Sequence, residues 1–517
     1  MTSARTTGDP ITHRAPAWWE SRAFIIALVL LSAVPLLYPP IPPLVDLFGH
    51  MGRYRVQLDL HDSLWLSRYY GFHWAAIGNL GVDLLVIPLE RLIGLEAAVK
   101  LIVLCIPPMT VAGFLWVAKE VHHRIPPTAM FALPFAYSHP FMFGFSNFAL
   151  SVALAFLAFG LWLHLGARKR LRLRAILFLP ISIVVFFAHT FGWGMLGLLC
   201  FSAEAVRQHD EGRSWWRAGI NAALHASVMA LPIVITIAWR SEAHGGMTRG
   251  WFDWDFKWTY LKQVLRDRWE WFDLASAAVV GLVLVAAVVI RRLTFSRNLL
   301  FTALVLLLCF LILPRTVFGS TYADMRLLPY VLATALLAIR FRGETYMPLA
   351  RTLAVLGLAF YAARLGGNTL SLAIAANDQR AQLQALDHVP MGARVGWITD
   401  EQACGHGWAL PRNSHLGAMV IVRRHGFSND QWVIEGLNLL DLKYWQAGKF
   451  AADPSQITRP GWCRGRGGWF VNAALAQFPR EQFDYLWLID PPPFDPKYVA
   501  GLRPVWRNGR SVLYRLK

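Results

Sequence analysis

The chain is built on repeated apolar runs close to the roughly 20 residues an α-helix needs to cross a bilayer core. Candidate spans fall at about 23–39, 97–117, 126–142, 146–166, 174–188, 190–206, 218–239, 272–290, 298–313, 326–340 and 347–366. A chain that is 56% hydrophobic and 16% charged sits well below the roughly 25% charge of soluble domains. A polytopic α-helical membrane protein of about 11 spans follows.

The net charge of +18 does not point to nucleic acid. Much of it lies in short loops such as Arg168–Arg174, Arg291-Arg292 and Arg340–Arg342, as the positive-inside rule expects of cytoplasmic loops. With residues 1–22 inside, every strongly basic loop is cytoplasmic. Residues 39–96, 240–271, 314–325 and everything after 367 then lie outside. The apolar segment 73–93 carries Asn79, Asp83, Glu90 and Arg91. Counting it as a span would place Arg168–Arg174 outside, so it is read as an amphipathic element at the outer surface. The tryptophan-rich loop 251–272 is expected to carry a helix lying along the interface.

Hydropathy changes after residue 366. Segment 368–389 reads as polar helix, and Ala393–Thr399, Met419–Val422, Tyr485–Ile489 and Ser511–Leu516 read as strands. Asn508-Gly509 marks a hairpin turn. The organisation is a membrane domain over 23–366, with a large first outer loop, and an extracytoplasmic α/β domain over 367–517. Cys404 and Cys463 lie in that last domain and can pair in an oxidising compartment. With one nearby histidine they make a poor zinc set.

Polar residues that interrupt the apolar pattern gather on the outer side. Asp46, His50 and Arg53 are spaced to share one helical face. His139 and Asn147 flank a turn, His189 separates two spans, and Arg315, Asp324 and Arg326 belong to one short outer loop. Ionisable groups near a membrane are costly and face a cavity or a partner. A transporter site would sit at the midplane between repeats, whereas these midplane positions are apolar and no repeat is present. A site at the outer membrane surface suits a substrate with a lipid tail and a reactive head in water.

These features resemble the GT-C superfamily of integral-membrane glycosyltransferases, which use polyprenyl-phosphate sugars. The resemblance rests on Asp46 opening the first outer loop, the Asp46-x-x-x-His50 pattern and Asn79-Leu-Gly-Val-Asp83. Gly144-Phe-Ser-Asn147, His189-Thr190, Asp324-Met-Arg326 and the appended outer domain also contribute. It implies transfer of a sugar, with inversion, from a polyprenyl-phosphate donor to a lipid or glycan acceptor at the outer face of a bacterial inner membrane. Asp46 would be the general base with His50 beside it. Arg326, Arg315 and His189 would hold the donor phosphate, with Arg53, Asp324, His139 and Asn147 in support. Many members carry a second acid after the first. Here Leu47 follows, so no acidic pair holds a metal, and a divalent cation (Mg or Mn) stays open as a cofactor. The competing readings are an O-antigen-ligase-like or polymerase-like enzyme and a lipid or glycan transporter.

Overall fold

The structure is a computed structural model, described here for residues 15–239, 247–400, 407–433, 438–463 and 468–517. It is mostly helical, with a sheet domain at the C-terminus. Among the described residues five helices are long and apolar enough to cross a membrane: Leu95–His122, Ser146–Ala167, Leu171–Ala188, Glu270–Val289 and Met347–His388. Arg22–Leu37, Arg297–Ile312 and Leu328–Leu337 are shorter apolar helices.

The span expected at 126–142 is not one helix. A 3-10 helix, Ala129–Tyr137, is followed by the short helix His139–Met142, and both are wholly buried. Pro134 and Pro140 deny backbone donors to a regular helix here. The segment packs instead as a plug against Met347–Leu383 and Leu328–Leu337. The 73–93 region contains the helix Gly81–Ile93, with Gly81, Val82, Asp83 and Val86 facing inward. The aromatic outer loop forms Trp254–Lys262, where Trp254 and Trp258 are exposed while Lys257 is buried beneath them.

One helix, Met347–Leu383, runs without interruption across the boundary expected at 366–367. It leads into a mixed sheet whose strands lie in the order Trp469–Phe470, Ile457–Arg459, Arg394–Asp400, Tyr485–Ile489, Ser511–Arg515 and Arg503–Asn508. The first four are parallel, and the last two close the sheet as an antiparallel hairpin. That hairpin turns at Gly509-Arg510, one residue later than the Asn508-Gly509 turn expected: Asn508 pairs with Ser511, and Gly509 takes a positive φ of 55°, as a two-residue turn with glycine first requires.

Met419–Val422, expected as a strand, lies within the helix Met419–Arg424. It packs on the first-loop helix Leu47–Asp59. There Gly52 leaves room for Ile421 and Ala418, which a Cβ would approach to 3.2 Å. Burial on a helix outweighs the β-propensity of the Val-Ile-Val run. The first loop is also sewn to the C-terminal domain by a two-stranded ladder, Tyr70–Phe72 against Leu440–Leu442. The first loop and the C-terminal domain thus form one assembly.

Candidate active site

Asp46 stands at the N-cap of Leu47–Asp59, yet its side chain makes no capping bond, so the carboxylate is left for other partners. Its position is set by the backbone. Asp46 N donates to Phe143 O at 3.0 Å, and Gly144 adopts a φ of +99°. A Cβ on Gly144 would lie 2.6 Å from Asp46 N. Only glycine meets both demands at low cost.

The side chain facing Asp46 comes from the far end of the chain. His415 Nε2 lies 3.9 Å from Asp46 Oδ1, and its Nδ1 lies 3.7 Å from Asp430 Oδ2. His415 and Asp430 are buried. The loop is anchored by Arg412, which donates to the Pro43 carbonyl and pairs with Asp267. Trp432 packs against the rings of both His415 and His50, at 4.4 and 5.0 Å. A Cβ on Gly49 would lie 2.6 Å from Trp432, so a larger residue there would push the loop away.

Burial raises the Asp46 carboxyl to about 7, with His415 and Arg326 opposing the rise and Asp453 adding to it. Burial works against a charged His415, but the contact with Asp430 and the fields of Asp453 and Asp46 outweigh it, lifting the imidazole to about 9. Near neutral pH the arrangement is a half-ionised carboxylate beside an imidazolium braced by a second carboxylate. A base whose pKa sits near working pH is well matched to proton transfer.

The remaining candidates fall into distinct places. His50 is held neutral by burial and by Arg53. Its backbone N–H, not its ring, bonds the Asp46 carbonyl, at 3.1 Å. Arg53 turns to Asp83 in a buried ion pair. Asn147 Nδ2 donates to Asp83 Oδ2 and to Asn79 Oδ1, both at 3.0 Å. These four residues clamp Leu47–Asp59, Gly81–Ile93 and Ser146–Ala167 together, which places Arg53 and Asn147 in the scaffold.

Asp324 and Arg326 do not pair with each other. Asp324 binds Lys257 at 3.1 Å, and Lys257 Nζ also donates to the Phe310 and Leu313 carbonyls. This leaves Arg326 with Ser320 Oγ at 2.9 Å and no carboxylate within ion-pair distance among the described residues. The guanidinium is packed among the rings of Phe145, Phe191 and Phe148. It is close enough to Asp46 for the two to interact electrostatically. Arg315 lies over Phe256 at 3.5 Å, with Tyr322 on another side; Tyr322 in turn contacts Phe145. His189 Nδ1 accepts from Phe191 N at 3.1 Å. That bond caps the helix Thr190–Asp210 and leaves the proton on Nε2. His139 is buried with neither ring nitrogen hydrogen-bonded among the described residues.

His415, Asp430, Asp453 and Lys257 were not singled out from the sequence. Among the described residues no group of three or more His, Cys, Asp or Glu side chains could hold a metal ion, so no step here is routed through a divalent cation. Cys463 is disulfide-bonded; Cys404 lies outside the described residues.

Fold and site together define a polytopic membrane protein whose polar site is completed by its C-terminal domain. No protein-family model matches the chain, and no curated protein matches it in sequence. Two solved structures share its architecture over almost the whole length. ArnT from Cupriavidus metallidurans in the apo state is 12% identical with a TM-score of 0.51, covering 96% of this chain and 97% of that one. The same protein bound to undecaprenyl phosphate is 11% identical with a TM-score of 0.50, covering 97% and 99%. The likeness is one of fold.

Proposed function

We propose that this protein is a membrane glycosyltransferase that moves a sugar from a polyprenyl-phosphate donor to an acceptor hydroxyl at the outer face of a bacterial inner membrane. The observation that carries the reading is the half-buried Asp46, poised near neutrality within electrostatic reach of an arginine, Arg326, that has no carboxylate at ion-pair distance among the described residues. The donor's tail lies in the bilayer and its phosphate meets Arg326, whose planar fork suits phosphate oxygens. Arg315 and the Nε2–H of His189 lie on the flanks of the same aromatic wall. The acceptor oxygen attacks the anomeric carbon from the opposite side as its proton passes to Asp46. The bond from that carbon to the phosphate oxygen breaks, and the electron pair leaves with the polyprenyl phosphate. Inversion follows from one displacement. No general acid is needed, because the leaving phosphate departs without protonation.

Electrostatic stabilisation of the leaving phosphate is strongest in a water-poor site, and Arg326 is packed in phenylalanine rings. The undecaprenyl phosphate bound in the ArnT structure supports a lipid of the same class here.

The test is transfer from a panel of synthetic polyprenyl-phosphate sugars by the purified protein in nanodiscs, with envelope extract as acceptor. Product from at least one donor is expected; none from any donor overturns the reading. The pH profile carries a second prediction. Activity requires Asp46 ionised and so rises with pH through about 7. It declines above about 9, as the His415 imidazolium is lost. His415→Gln removes the positive charge that holds the Asp46 pKa down, so the acid limb moves to higher pH. An acid limb unchanged in this variant would exclude the coupling.

A further inference from the structure

A groove of about 520 Å³ lies in the C-terminal domain. It falls within the roughly 300–1,000 Å³ typical of small-molecule sites. Trp445, Lys449, Asp453, Ser455, Trp469 and Phe470 line it, and Trp445, Lys449 and Phe470 are exposed. The rings are braced: Trp469 stacks on Phe450 with centroids 5.4 Å apart, and Arg459 lies over Phe470 at 4.3 Å. Asp453 Oδ1 accepts one bond, from Gln456 Nε2 at 2.8 Å. A carboxylate offers about four acceptor positions, so capacity is left for donors in the groove.

Flat aromatic faces beside a carboxylate and an ammonium suit a ligand with apolar C–H faces and a rim of hydroxyls. A lipid tail would leave Asp453 unsatisfied, and a phosphate would be repelled by it. A neutral glycan meets each group with its complement.

The groove shares a wall with the Asp46 site. Asp453 N donates to Gln431 O at 3.1 Å, and Gln431 Nε2 reaches Gly49 O at 3.3 Å, in the Asp46 helix. Ser455 Oγ donates to Asn429 O at 2.9 Å, and Gln456 Nε2 to Ser414 O at 3.2 Å, next to His415. Residues 453–455 therefore line the groove, and segment 453–456 is bonded on its other side to the backbone beside His415 and Asp430.

We propose that this groove is a subsite for a neutral acceptor glycan, holding sugar units beyond the one whose hydroxyl reacts. The inference rests on the glycosyltransferase reading for its acceptor role, though glycan binding itself can be measured without transfer. The full-length protein in nanodiscs is titrated with neutral gluco-, manno-, galacto- and arabino-oligosaccharides, followed by tryptophan fluorescence and saturation-transfer NMR. Saturable binding of one class is expected. Trp445→Ala weakens it about tenfold, a modest free-energy loss for one stacking face. Trp445 is exposed, so its truncation leaves the fold intact; Phe470→Ala is the second variant. Absence of saturable binding, or affinity unchanged in both aromatic variants, overturns the groove even if transfer is observed. Aromatic-dependent binding without transfer from any donor keeps the glycan site and overturns its acceptor role.

Discussion

Asp46→Asn is expected to lower transfer by about 10²–10⁴-fold, the usual contribution of a positioned general base. Asparagine has the same shape and leaves the backbone bond to Phe143 in place, so the loss is chemical. Stability provides the control. Burial raises the Asp46 pKa, so between its unfolded and folded values the folded chain holds a proton that the unfolded chain releases. Stability on this account falls as pH rises through that window. The asparagine variant carries no such charge, and its melting temperature at pH 8 should equal or exceed that of the wild type. Retained transfer would move the base elsewhere, and a lowered melting temperature would show that Asp46 is held by contacts other than those described.

Arg326→Gln is expected to reduce kcat by about 10²–10³-fold, the range seen when one preorganised donor to a developing anion is removed. Arg326→Lys should recover part of this, since it restores the charge but not the planar fork. Glutamine also removes a cation from beside Asp46, so the acid limb of the pH profile should rise, as with His415→Gln. An effect confined to KM would make Arg326 a ground-state binding residue, and an unchanged kcat would remove it from the leaving-group role.

Local cues made much of this legible. The strands Arg394–Asp400, Tyr485–Ile489 and Ser511–Arg515 are rich in β-branched, aromatic and leucine side chains, and Gly509 marked the closing hairpin to within one residue. Asp46 was visible because it follows the first apolar run directly. Its true neighbour was not, because His415 arrives by tertiary packing and no spacing rule connects positions so far apart. Helical spacing put Arg53 beside Asp46, but Asp83, brought in by Gly81–Ile93, binds it more directly. Sequence adjacency grouped Asp324 with Arg326 in one loop, while Lys257, on an aromatic loop that reads as an interface anchor, takes the acid. Val420-Ile-Val422 has strand composition, and only its packing on Leu47–Asp59 explains the helix. In each case local chemistry was readable and the competing partner was remote.

The Arg412 bond to the Pro43 carbonyl joins residues 369 positions apart, and it fastens the loop that carries His415. The order of synthesis gives this a meaning. When the last apolar helix leaves the ribosome, the nascent chain holds Asp46 and Arg326 but lacks His415 and Asp430. On the proposed reading, a polypeptide interrupted after its membrane helices lacks the imidazole that faces Asp46, so the site is assembled only once the C-terminal domain has docked.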